Sequence, residues 1–136
     1  MQLSKFTDYT FRALIYLAMH QEELCTVEQL ATHLNVSEHH LKKVIHKLAK
    51  TDYVTSIKGR MGGLKLGVSP KEINLGKVLM ITEENLNIVE CLNKECVCDF
   101  LSSECKLKSI IKGSLNKFIE EFSHYTLEDI LPQPIS

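Results

Sequence analysis

No stretch of this 136-residue chain is apolar for long enough to cross a bilayer, and no secretory leader is visible at its start. Met1-Gln2-Leu3-Ser4-Lys5 runs straight into an amphipathic segment. The expectation is a cytosolic protein with no membrane partner, in a compartment where thiols stay reduced. Five cysteines is an odd number, which speaks against a disulfide framework, and a chain of this length buries a working core without staples. Also missing are a phosphate loop, a nucleotide fingerprint and a nucleophile elbow, and no set of scattered residues can be given catalytic roles. The chain therefore reads as a non-enzyme. It holds no internal repeat and no low-complexity tract.

Charge of one sign is lacking overall, since the net is −1, but the balance is uneven along the chain. Residues 1–70 carry nine Lys and Arg against six Asp and Glu, and residues 71–136 carry seven against eleven. Within 37–65 the count is seven against two. Positive charge gathered in one segment is the footprint of a phosphate-binding face.

The periodicity around that segment predicts a mainly α fold with a small β-hairpin. A first helix is expected from about Thr7 to about His20, with Phe11, Leu14, Ile15 and Ala18 as its apolar stripe. Thr26 and Gln29 have capping-box spacing and open a second helix whose apolar face is Val27, Leu30, Ala31 and Leu34. Asn35-Val36-Ser37 breaks the pattern: Asn tolerates the left-handed conformation of a tight turn, and Ser is a good N-cap. A third helix follows from about Glu38 to about Thr51, with Leu41, Val44, Ile45 and Leu48 inward and His39, His40, Lys42, Lys43, His46, Lys47 and Lys50 elsewhere. Two short helices joined by a tight turn, the second one basic, form the helix-turn-helix pattern. Behind it, Tyr53–Ile57 and Leu64–Leu66 read as strands around the glycine-rich basic turn Lys58-Gly59-Arg60-Met61-Gly62-Gly63, the wing of a winged helix.

An α-helix fits the major groove of B-DNA, and residues near its N-terminus reach base edges. Ser37, His39, His40 and Lys43 are the candidates for that reach, and Lys42, Lys47 and Lys50 suit phosphates. Lys58 and Arg60 at the wing tip suit phosphates or a narrow minor groove. The bland alternative is a solvated charged face, but the basic hairpin directly behind the helix favours DNA. His20, His33 and His124 show no metal spacing and read as surface or boundary residues.

Beyond the wing, Asn74 is expected to cap a short helix over Leu75, Val78 and Leu79. Four cysteines then fall within fifteen residues: Cys91, Cys96, Cys98 and Cys105. Thiolates select zinc or iron–sulfur clusters. The gaps of four, one and six residues do not give the paired Cys-x2–4-Cys spacing of structural zinc, whereas a cluster held by three or four thiolates suits the crowding. Cys25 stands apart and reads as a small packing residue. From Cys105 a long helix is expected to about Tyr125, with Leu107, Ile111, Leu115, Phe118, Phe122 and Tyr125 close to a heptad seam. Little chain remains to cover that seam, so it reads as a dimer interface, and Leu131-Pro132-Gln133-Pro134 reads as a fraying terminator. The expected division is a winged helix-turn-helix domain over 1–70, then a cofactor loop (about 88–105) and dimerisation helix (about 105–125) within 71–136.

At this point the sequence resembles a known family. The opening Leu3-Ser4-Lys5-Phe6-Thr7-Asp8-Tyr9 with Arg12-Ala13-Leu14, the wing Gly59–Leu66, Asn87-Ile88-Val89-Glu90-Cys91, Cys105-Lys106-Leu107-Lys108 and Tyr125–Ile130 are similar to the iron–sulfur winged-helix repressors of the group that contains NsrR, IscR and RirA, the nitric-oxide-sensing kind most of all. The resemblance covers nearly the whole chain. It implies a homodimer on promoter DNA, with one 4Fe–4S or 2Fe–2S cluster per protomer held by three cysteines, and repression that lifts when nitric oxide modifies the cluster. On the family pattern the ligands are Cys91, Cys96 and Cys105, with Cys98 the rival for the central place. Asp8 of the partner subunit is a fourth ligand in some members. Two central candidates and a longer stretch before Cys105 depart from that pattern. If Cys96 and Cys98 both ligate, the site is all-thiolate and Asp8 is free. The alternatives are the same regulator sensing iron or cluster status, a zinc-stabilised regulator, or a small electron or cluster carrier.

Overall fold

A computed structural model of the chain describes residues 2–83 and 106–132. Helix α1 (Lys5–Met19) starts where Ser4 takes extended backbone and its Oγ accepts a hydrogen bond from the Thr7 amide at 3.2 Å. This satisfies one of the free N–H groups that open any helix. The inward face of α1 is Thr7, Thr10, Ala13, Leu14, Leu17 and Ala18. The expected stripe was thus out of phase: Leu14 and Ala18 are buried, but Phe11 and Ile15 lie half-buried at its edge. Two threonines and an alanine give no apolar signal, so sequence periodicity passed over the side of the helix that packs deepest.

Helix α2 (Val27–Leu34) opens with the expected capping box: Gln29 N donates to Thr26 Oγ1 and Thr26 N to Gln29 Oε1. Asn35 closes it in the left-handed region at φ 55°, as the turn reading required. Ser37 then caps α3 (Glu38–Leu48), which buries the four residues expected, Leu41, Val44, Ile45 and Leu48. The helix ends one turn earlier than Thr51, whose Oγ1 donates to the Leu48 carbonyl at 2.6 Å and to which Tyr53 N donates in turn. A hydroxyl that offers the backbone a local alternative stops helix propagation.

Strands β1 (Val54–Ile57) and β2 (Gly63–Leu66) pair antiparallel, Val54 opposite Leu66 and Ile57 opposite Gly63. Gly59 in the connecting turn has φ +111°, a conformation that side chains resist. Cys25 extends the ladder: it exchanges both backbone hydrogen bonds with Leu64 (3.1 and 2.7 Å), so the wing is fixed to the start of the helix-turn-helix. Its side chain is buried in the core, as its reading as a packing residue expected.

After a short 3-10 turn at Pro70–Glu72, Asn74 caps α4 (Leu75–Thr82) by accepting from Lys77 N. Helix α5 (Lys106–Phe122) holds no buried residue. The chain then returns to the winged unit. Leu75 N donates to Tyr125 O, Leu127 N donates to Ile73 O, and Leu127 has no exposed surface. A second 3-10 turn, Leu127–Ile130, follows, and Leu131, the first residue of the expected fraying tail, packs half-buried against the core, while Gln133 and Pro134 of that tail lie outside the described residues. One core cluster therefore joins Ala13, Leu14 and Leu17 of α1, Leu30, Leu41 and Leu48 of the helix-turn-helix, Ile73 and Leu127. Each fully buried Leu or Ile contributes roughly 1.5–3 kcal/mol.

Candidate nucleic-acid interface

With Leu41, Val44, Ile45 and Leu48 turned inward, helical spacing sends His39, Lys43 and His46 to the opposite side of α3, and Lys50 follows just past its end. All four are exposed. Sequence reading singled out His39 and Lys43 for base edges and Lys50 for phosphates, but named His46 for neither role. The signal was available in the i, i+4, i+7, i+11 spacing of these residues.

The remaining candidates occupy distinct places. Ser37 Oγ accepts from His40 N at 3.5 Å, so it is engaged in capping the helix. His40 lies on the flank toward α1, its ring 6.2 Å from that of Tyr9. Lys42, on the other flank, pairs with Glu38 at 3.3 Å. Such an exposed i, i+4 pair is worth only about 0.3–0.5 kcal/mol and exchanges easily for a phosphate. Lys47 is half-buried, its ammonium 5.7 Å from the centroid of the Phe6 ring. Lys58 and Arg60 are exposed in the wing turn, beside the most exposed large apolar side chain of the described residues, Met61 (88% exposed). His20 and His33, read as boundary residues, stack against Tyr16 with ring centroids 4.2 and 5.1 Å apart.

Asp8 is exposed near the start of α1, and its Oδ1 accepts from Arg12 Nε at 3.0 Å. Cys91, Cys96, Cys98 and Cys105 lie outside the described residues. Among the described residues no three His, Cys, Asp or Glu side chains gather in a way that could hold a metal. Cys25 is taken up by the core: burial pushes its thiol above the ordinary range, and its Sγ contacts Thr26 O at 3.5 Å. The thiol donors left for a cofactor are the four cysteines of 91–105. Soft, closely spaced sulfur ligands suit an iron–sulfur cluster in kind.

An exposed basic helix and a glycine-tipped basic hairpin, held together by the Cys25–Leu64 ladder, define a winged helix-turn-helix regulator. Over residues 3–133 the sequence matches the Rrf2 family, described as "Iron-dependent Transcriptional regulator", and the chain belongs to that family. It is 42% identical over 132 residues to the HTH-type transcriptional regulator NsrR of Halalkalibacterium halodurans (96% of this chain, 90% of the relative). It is 39% identical over 132 residues to the protein of the same name in Bacillus subtilis, with the same coverage. These relatives are named as transcriptional regulators, not enzymes. The fold is similar to that of CymR, the global cysteine regulator of B. subtilis, with a TM-score of 0.73 at 26% identity over 96% of this chain and 95% of that one. It is equally similar to that of T. potens IscR, with a TM-score of 0.73 at 24% identity over 96% and 85%. No helix of the described residues is long and apolar enough to cross a membrane.

Proposed function

We propose that this regulator is a repressor that binds promoter DNA as a homodimer through α3 and the wing, carries an iron–sulfur cluster on cysteines of 91–105, and releases DNA in response to nitric oxide. One observation carries the reading: a basic helix and wing share an Rrf2-family chain with four cysteines crowded between α4 and α5. Residues 1–70 form the reading head, and residues 71–136 supply the cofactor segment and the dimer helix.

In the apolar seam of α5, Leu107 and Phe118 are 58% and 37% exposed in the single chain, an arrangement a second copy would bury. Two chains joined there present two α3 helices to major grooves about one helical turn apart. In each head, Ser37, His39, His40 and Lys43 read base edges, while Lys42, Lys47, Lys58 and Arg60 hold phosphates or the minor groove. Cys91, Cys96 and Cys105 hold the cluster, with Cys98 the rival for the central place. Asp8 of the partner subunit completes the set if only three thiolates bind. When bound, the cluster supplies iron with which a diatomic gas can react.

The chain itself couples the cysteine segment to the reading head. Glu83, eight residues before Cys91, accepts from Ser4 N at 2.9 Å, and Thr82 and Thr7 join α4 to the first turn of α1 through a buried hydrogen bond. That part of α1 also supplies Phe6 and Tyr9, which meet Lys47 and His40 of α3. A displacement at Glu83 thus has a short packed route to α3. The energy required is modest, because weakening DNA binding a hundredfold takes about 2.7 kcal/mol.

The test is an anaerobic ultraviolet-visible and circular dichroism titration of the purified protein with nitric oxide, in the presence of labelled promoter DNA. Cluster bands that bleach as DNA is released are the expected result. Bands that bleach while DNA stays bound would move the signal to iron or redox state. A colourless protein after anaerobic reconstitution would remove the cluster and leave a zinc-stabilised or cofactor-free regulator.

A further inference from the structure

On the outer side of α3, Lys43, His46 and Lys47 fall at i, i+3 and i+4, and Lys50 follows just past the end of the helix. All four line one open cleft of about 750 Å³, whose far wall includes Ser4 and Phe6 at the start of α1 and Glu83 at the end of α4. Three ammonium groups thus meet a single carboxylate among the described residues. The Lys47 ammonium lies over the Phe6 ring, 5.7 Å from its centroid, a contact that favours one position for that charge. Glu83 is positioned too, since its Oε1 accepts from Ser4 N at 2.9 Å.

We propose that this cleft takes the phosphodiester backbone of the duplex beside the groove that α3 enters, with His46 joining Lys50 as a phosphate ligand, and that Glu83 sets how strongly it holds. The inference rests on the DNA-binding reading above and adds a site and a control to it. Residues in the second half of a recognition helix lie far from the base edges its N-terminus reaches, so their charge is useful against the backbone. The cleft is open and basic, and Lys43, His46, Lys47 and Lys50 are spread along it from the middle of α3 to just past its end, as a phosphate track requires. Glu83 opposes an incoming phosphate by like charge at short range, and the strength of that opposition depends on whether Ser4 keeps the carboxylate in place. Because Glu83 lies only eight residues before Cys91, a change in the cysteine segment that moves Glu83 alters affinity electrostatically, with no need to reorient the whole head.

The anaerobically purified full chain is titrated with a fluorescein-labelled mixed-sequence duplex of about 30 base pairs, read by anisotropy between about 50 and 200 mM salt. Lys50→Gln and His46→Gln should each weaken binding by about threefold. Lys50→Gln should also lower the slope of log affinity against log salt by about 0.9. Glu83→Gln, which keeps an oxygen for the Ser4 amide, should tighten binding by about threefold. Far-ultraviolet circular dichroism of each variant checks that the fold is kept. Arg60→Gln in the wing separates the two levels of the argument. If it weakens binding while Lys50→Gln and His46→Gln leave affinity and slope unchanged, the cleft proposal fails and the DNA-binding reading stands. Absence of salt-sensitive binding by the unaltered protein would overturn that reading itself. An unchanged affinity in Glu83→Gln would overturn the control assigned to Glu83. Inorganic phosphate that displaces the duplex at matched ionic strength would make the cleft a free-anion site instead.

Discussion

The Thr7 hydroxyl donates to the Thr82 hydroxyl at 2.8 Å, and both side chains are buried where α1 meets α4. The bond is the middle of a chain: Ser4 Oγ donates to Thr7 Oγ1, and Thr82 Oγ1 donates to the Val78 carbonyl. Each hydroxyl gives its proton onward, so removing one link strands the next. Thr82→Val leaves the Thr7 hydroxyl buried without its acceptor and should cost about 1–3 kcal/mol. Adding Thr7→Val removes the stranded group, so the double variant should cost less than the sum of the singles. Urea denaturation of the four proteins measures this, and purely additive losses would show that the two hydroxyls act independently.

Glycine at two positions gives opposite expectations for the same substitution. A Cβ on Gly76 in α4 would lie 2.9 Å from the Ser123 Cα, where the chain leaves α5. Nearby contacts keep Ser123 close: Asn74 Nδ2 donates to Ser123 O at 2.8 Å and Leu75 N to Tyr125 O at 3.0 Å. Overpacking there costs about 1–3 kcal/mol, more than the roughly 1 kcal/mol that alanine gains in helix propensity, so Gly76→Ala should destabilise. A Cβ on Gly113 in α5 meets nothing within 4 Å, and Gly113→Ala should stabilise by about 0.4–1 kcal/mol. Thermal unfolding of both variants checks the signs. A stable Gly76→Ala protein would mean that α4 and α5 approach less closely than this.

The helix-turn-helix and wing were legible because each signal is local. Thr26 with Gln29, Asn35, Ser37 and Gly59 all act through backbone groups a few residues away. The packing face of α1 was less legible, since Thr7 and Thr10 are buried through hydrogen bonds rather than apolar character: Thr10 Oγ1 donates to the Phe6 carbonyl at 2.7 Å. The return of the chain at Leu127 was missed for another reason. Its anchors, Ile73 and Leu75, lie some fifty residues earlier, and no local pattern encodes such a pairing. On the candidate interface the basic residue types were plain, but the grouping of Lys43, His46, Lys47 and Lys50 into one cleft needed the positions of Ser4 and Glu83.

Cys25 links stability to alkaline pH. Burial raises its thiol above the ordinary value, so on alkaline titration the unfolded chain loses this proton before the folded one does. A raised folded value means that stability is fully present below the ordinary thiol range and falls as pH rises through the folded value. The stability gap between the unaltered protein and Cys25→Ala should therefore be largest near pH 7 and narrower at about pH 9.5. Taking the difference between the two proteins cancels the titrating groups that do not interact with Cys25; Tyr16, which the Cys25 charge also raises, is part of the same effect. A gap that stays constant with pH would mean that the thiol titrates normally in the folded chain.

The choice between Cys96 and Cys98 can be made by single substitutions, because a ligand and a bystander differ in more than degree. Cys91 and Cys105 bound the cysteine segment, and only one cysteine between them is needed for a three-thiolate site. If Cys96 is that ligand, Cys96→Ala should purify anaerobically without the cluster absorption while Cys98→Ala keeps it, and Asp8→Ala should shift the circular dichroism of the cluster. If both cysteines ligate, each substitution should perturb the spectrum and Asp8→Ala should leave it unchanged, since four thiolates need no carboxylate. Asp8 also pairs with Arg12 at 3.0 Å, so an Arg12→Ala control separates loss of that exposed pair from loss of a ligand. The pair alone is worth at most about 0.5 kcal/mol and should not alter the spectrum. Full cluster absorption in both the Cys96→Ala and Cys98→Ala proteins would mean that the two can substitute for each other as the central ligand.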